Sequence, residues 1–69
     1  MRIIIFDLKG WLKIPLDLND INIYKKIIER YGDDSIFIIP LIQLFISNPS
    51  IDSITIKTKL GNEYMITYE

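Results

Sequence analysis

A 69-residue chain without a single histidine or cysteine has few routes to covalent chemistry. Nucleophilic and general-base roles fall to Ser, Lys, Tyr and the carboxylates. Ser35, Ser47, Ser50 and Ser53 fall where turns and helix caps are expected, and there hydroxyls serve backbone groups. No Gly-x-Ser-x-Gly elbow, phosphate loop or dinucleotide fingerprint is present. The usual zinc ligands are missing. Asp17 with Asp20, and Asp33 with Asp34, lack the alternating spacing of a calcium loop and read as helix caps and turns. The expectation is a protein that is not an enzyme and uses no cofactor and no metal.

Binding chemistry has two candidate sets. Lys25, Lys26 and Arg30 share the polar side of an expected helix, and Lys57 and Lys59 belong to an expected strand, so together they make a possible phosphate-binding set. That reading needs all five on one surface. It is weakened by Glu29, Glu63 and Glu69 among them and by a net charge of −1. Tyr64 and Tyr68 alternate with Ile66, which makes them core residues rather than a stacking platform. The second set is Ile3, Ile5 and Trp11 with Lys13 and Asp7 at its rim. Tryptophan is enriched where interfaces concentrate their binding energy, and these residues read as a protein interface.

The elements that position these residues follow from turn signals and periodicity. Arg2 to Leu8 is strand-like, Lys9-Gly10 turns, and Trp11 to Pro15 returns. With Leu8-Lys9-Gly10 as a three-residue loop and Gly10 left-handed, Asp7 faces Trp11, Phe6 faces Leu12 and Ile4 faces Ile14. One side of this hairpin is then wholly apolar, and the other carries Ile3, Ile5, Trp11, Lys13 and Asp7. A helix capped by Asn19 and stopped by Gly32 is expected next, with an apolar stripe of Ile21, Tyr24, Ile27, Ile28 and Tyr31. Asp33 to Ser47 reads as a second helix, kinked or started at Pro40, although Ile36 to Ile39 also suits a short strand. Being apolar nearly all round, it is expected to be the most buried element. A second hairpin closes the chain. A loop at Leu60-Gly61-Asn62 places Lys59 opposite Glu63, with Ile54, Ile56, Tyr64, Ile66 and Tyr68 inward and the charged residues outward.

The predicted fold is therefore α+β in the order ββααββ: two hairpins forming an antiparallel sheet with helices on one face, in a single domain over residues 1–69. Seventeen isoleucines with no alanine or valine suggest an AT-rich genome, such as a virus or plasmid. The longest apolar run, Ile36 to Ile46, is far short of the ~20 residues that span a bilayer, and a cytoplasmic protein is expected. A domain this small buries only about 60% of its unfolded surface, so a partner subunit is a natural stabiliser. The expectation from these features is a protein-interaction module, a homodimer that also binds another protein as a regulator or inhibitor. A small nucleic-acid-binding protein is the alternative.

Overall fold

The computed structural model describes all residues, Met1 to Glu69. Strands β1 (Arg2–Asp7) and β2 (Leu12–Asp17) form the first hairpin. Helix α1 (Ile23–Tyr31) passes through a single 3-10 turn (Gly32–Asp34) into α2 (Ser35–Ile46), and β3 (Ser53–Lys57) and β4 (Glu63–Tyr68) form the second hairpin. The strands make one four-stranded antiparallel sheet in the order β2-β1-β4-β3. The α+β reading holds, and the two hairpins share a sheet because β1 pairs with β4 at its centre.

The first hairpin has a different register from the one its turn residues suggest. Asp7 pairs with Leu12, Ile5 with Ile14 and Ile3 with Leu16. The loop is therefore Leu8 to Trp11, one residue longer than expected. The left-handed residue is Trp11, at φ 58°, and Gly10 does not take that role. The Asp7 carboxylate holds the turn, its Oδ1 accepting from the backbone N–H of Lys9 at 3.0 Å and of Gly10 at 3.1 Å. A one-residue shift exchanges the faces of the strand partner. Ile3 and Ile5 are completely buried, whereas Ile4 and Phe6 stand on the open side of the sheet. The interface expected at Ile3 and Ile5 is thus displaced, because both belong to the core.

The cause lies in the fourth strand. Both faces of β1 are apolar, so the hairpin alone has no strong preference. Pairing with β4 places Ile5 beside Ile66 and Ile3 beside Tyr68. The alternation of β4, with Tyr64 and Ile66 apolar-inward and Glu63 and Thr67 outward, thereby selects the face of β1.

The second hairpin keeps its expected faces but slides by two residues. Lys57 pairs with Glu63, Ile56 with Tyr64 and Ile54 with Ile66. Thr58 N–H donates to Asn62 O at 2.8 Å, leaving Lys59 to Gly61 as the loop. Gly61, at φ 86°, then fills the third loop position, which is the one that must be left-handed. A shift of two preserves every side-chain face.

The helical layer also differs from its periodic reading. Two Asx turns intervene before α1: Asp17 Oδ1 accepts from Asn19 N–H at 2.9 Å and Asp20 Oδ1 from Asn22 N–H at 2.8 Å. The helix begins at Ile23, with Asn22 in place of Asn19 at the cap position. Its buried residues are Ile23 and Ile27, with Tyr31 half-buried, while Ile21, Tyr24 and Ile28 are exposed. Centred on the sheet instead is α2, whose Ile38, Ile42 and Phe45 are fully buried against Ile3, Ile5 and Ile66. Pro40 lies inside α2 at an exposed position, where it has no N–H to donate to the carbonyl of Ile36 one turn earlier. Phe45 stacks on Tyr68 at 4.5 Å, locking this helix to the last strand.

This register makes a direct prediction. Ile5→Ala should cost about 2–5 kcal/mol in urea unfolding and Ile4→Ala less than about 1.5 kcal/mol. Equal costs for the two would contradict the assigned faces.

Candidate interaction surface

The open face of the sheet carries the residues that alternate with the core. Ile4, Phe6, Met65 and Thr67 come from the central strands, flanked by Pro15 and Lys13 on β2 and by Thr55 and Lys57 on β3. Phe6 lies at the centre of an aromatic and cationic cluster. Trp11 meets it edge-on with ring centroids 5.9 Å apart and planes at 67°, and the Lys13 ammonium lies 5.5 Å from its ring centre. Trp11 is 78% exposed. A bulky side chain at positive φ is a conformational outlier that costs on the order of 1–3 kcal/mol, and here that cost goes with a large apolar ring left in water.

Of the expected interface set, the structure keeps Trp11 and Lys13 on this face and removes Ile3 and Ile5 to the interior. Phe6 and Met65 take their place. The signal for Phe6 was in the sequence, since β1 is apolar on both sides, but only the pairing with β4 shows which side is left uncovered.

The basic set divides between the two faces of the molecule. Lys57 points from β3 onto the open sheet face, opposite Glu63 on the neighbouring strand. Lys25, Lys26 and Arg30 stand on α1 in the helical layer, and Lys59 lies in the β3–β4 loop. Lys26 is also engaged: its ammonium pairs with the Asp20 carboxylate, which holds Asp20 below its ordinary value and Lys26 above its own. Lys26 and Arg30 border a groove of about 410 Å³ between α1 and β2, floored by Ile14, Leu16 and Ile27.

A third constellation is polar and buried. Asp34, expected as a helix cap, makes no capping bond; its side chain turns inward and is only 1% exposed. Asn62 Nδ2 and Tyr64 Oη both donate to its Oδ2 at 2.8 Å. Burial pushes the Asp34 carboxyl up, but the donors Asn62 and Tyr64, with the nearby Thr58 hydroxyl, outweigh it and hold the group below the ordinary carboxylate value. Thr58 Oγ1 and Asp34 Oδ1 nonetheless fall short of hydrogen-bond geometry, and neither has a partner. Tyr64 is shifted upward by burial and by the Asp34 charge. Tyr31, packed edge-on against Tyr64 at 5.3 Å, is pushed up to about 12, chiefly by burial. With two donors on one carboxylate oxygen, the cluster ties the structure together across the helix junction. It joins the helix junction to the β3–β4 loop beside a cavity of about 200 Å³ that Asp7 and Arg30 also line.

The chain has no match among protein-family models, curated proteins or solved structures. No helix is long and apolar enough to cross a membrane.

Asp34 sets a pH dependence. Because its carboxyl is more acidic folded than unfolded, the stability it supplies is full above about pH 4, near the ordinary value of 3.8, and is lost as the pH falls through the folded value. Asp34→Ala should lower stability at pH 7 by about 2–3 kcal/mol, because Tyr64 and Asn62 lose a charged acceptor. The gap between wild type and variant in urea titrations should narrow as the pH drops below 4, because only the charge-dependent part of the interaction is lost on protonation; a constant gap down to pH 2 would contradict the ionised state.

Proposed function

We propose that this chain is a non-enzymatic protein-interaction module: a homodimeric, cytoplasmic regulator or inhibitor from an AT-rich virus or plasmid-like genome, which binds a further protein through the open face of its sheet. The observation that carries the reading is Trp11, held at positive φ and 78% exposed against Phe6. A strained backbone that presents a large aromatic ring to water is conformational energy spent on display, and interface energy concentrates on such residues. Phe6 and Met65 extend the patch with residue types enriched in interface cores, and Lys13 borders it.

The alternative, nucleic-acid binding, has less support. Lys57 lies on the sheet face and Lys25, Lys26 and Arg30 in the helical layer, so the five basic residues supply no single phosphate-tracking surface.

Trp11→Ala should abolish capture of the partner from native cells while leaving the thermal midpoint within a few degrees of wild type. Recovery of the same proteins by wild type and variant would overturn the reading. Binding to single-stranded or duplex nucleic acid should be absent even at low salt; a steep salt dependence would favour the alternative. Trp11→Gly should match or exceed wild-type stability, by up to about 1 kcal/mol, since glycine accepts positive φ without strain.

A further inference from the structure

The sheet has two edges, and they are unequal. Hydrogen bonds beyond the strand ends fix which backbone groups point outward. Leu18 N–H donates to Met1 O at 3.0 Å, so Leu12, Ile14 and Leu16, an even number of residues away, direct their amides toward β1. Lys13, Pro15 and Asp17 then face the free edge of β2. The middle one of these three positions is a proline, which has no N–H to offer. This edge is blocked to a further strand at its centre.

At the other edge the same parity gives the opposite result. Thr58 N–H donates to Asn62 O at 2.8 Å, which directs Ile56 and Ile54 toward β4 and leaves the N–H and C=O groups of Ser53, Thr55 and Lys57 facing outward. The strand has no proline and its pairing with β4 is continuous; its one charged residue, Lys57, lies at the end of the strand and leaves Ser53 and Thr55 uncharged.

We infer that β3 is the site where a second copy of this chain adds, antiparallel, about a two-fold axis through Thr55, so that the two sheets become one. The inference rests on the homodimer proposed above and gives it a surface. The strand is complementary to itself in this register. Thr55 meets Thr55 of the second copy, and Ser53 meets Lys57; all three positions have outward-facing backbone groups, so each pair exchanges two hydrogen bonds. Ile54 falls opposite Ile56 of the second copy, on the helix side of the sheet. Both isoleucines are only half-buried in the single chain, and cross-strand contact covers their remaining exposed surface. Threonine opposite threonine at the axis is a favourable cross-strand pair. Because the contact is isologous and the β2 edge is closed by Pro15, assembly stops at two copies and does not propagate into a fibre. The joint also leaves the Trp11 patch free, since β2 and β3 are opposite edges of the sheet.

The test is sedimentation with backbone hydrogen exchange. Wild type should be a dimer at micromolar concentration, with the amides of Thr55 and Lys57 as protected as those of Ile54 and Ile56. Thr55→Pro should weaken the dimer by at least about thirtyfold, since two hydrogen bonds are lost across the axis. It should still fold, because Pro15 occupies the equivalent outward position of β2. Thr55→Val should remain dimeric. Rapid exchange of Thr55 and Lys57 in wild type, or a Thr55→Pro protein that sediments as wild type, would overturn the inference. A dimer that survives Thr55→Pro and dissociates in Trp11→Ala would overturn the edge contact while sparing the homodimer. A monomeric wild type would overturn both, whereas loss of partner capture in Trp11→Ala alone concerns only the sheet-face reading.

Discussion

The pairing of β1 with β4 is the constraint on which the rest of the molecule depends. It joins the two ends of the chain at the centre of the sheet, closed by the Arg2–Glu69 ion pair at 2.9 Å and by the Glu69 N–H bond to Arg2 O at 3.1 Å. Since side chains alternate strictly across a strand, this one long-range pairing decides which half of β1 enters the core. With Ile3 and Ile5 committed inward beside Ile66, the first hairpin must extend its loop to four residues so that Ile14 and Leu16 follow them. The extra loop residue is Trp11, which is thereby left-handed and exposed. Core packing thus fixes where the left-handed position falls, but it does not call for a tryptophan there, where glycine would be unstrained.

The helical layer obeys a second constraint, the supply of partners to buried polar groups. Between α1 and α2 the chain turns through Gly32–Asp34 without a loop, and Asp34 points into the protein at that bend. Its donors, Asn62 and Tyr64, come from the far hairpin, so one carboxylate fixes the angle between the helices and the β3–β4 loop. The same loop carries Gly61 at positive φ, and its turn hydrogen bond from Gly61 N–H to Thr58 O brings Thr58 beside the carboxylate. Ionised and hydrogen-bonded, Asp34 acts over nearly thirty positions of sequence in place of the local cap its residue type suggests.

The finished sheet is asymmetric in every direction that bears on binding. One face is sealed by α2 and partly by α1, and the other is open with Phe6 at its centre. One edge carries Pro15 among its outward groups and the other carries none. The helical layer leaves Ile21, Ile28 and Ile36 exposed as well, which is apolar surface beyond what a chain of this size can bury in one core.

Much of this was legible in the residues. Gly61 and the alternation of Ile54, Ile56, Tyr64 and Ile66 specify the second hairpin and its faces, and a slip of two residues left those faces intact because the side-chain period is two. The two helices, the stop at Gly32 and the α+β order also follow from local pattern. The first hairpin was not legible in the same way. Ile3 to Phe6 is apolar on both faces, so local pattern gives the two registers nearly equal hydrophobic gain, and a slip of one exchanged Ile3 and Ile5 for Ile4 and Phe6. Likewise the isoleucines and tyrosines around α1 allow more than one buried stripe, and Asp34 suits a cap as well as a core. The sequence by itself determined the elements, because turns and periodicities are local. Only the tertiary structure decided which face is core and which is surface, because that choice is made by a strand sixty residues away.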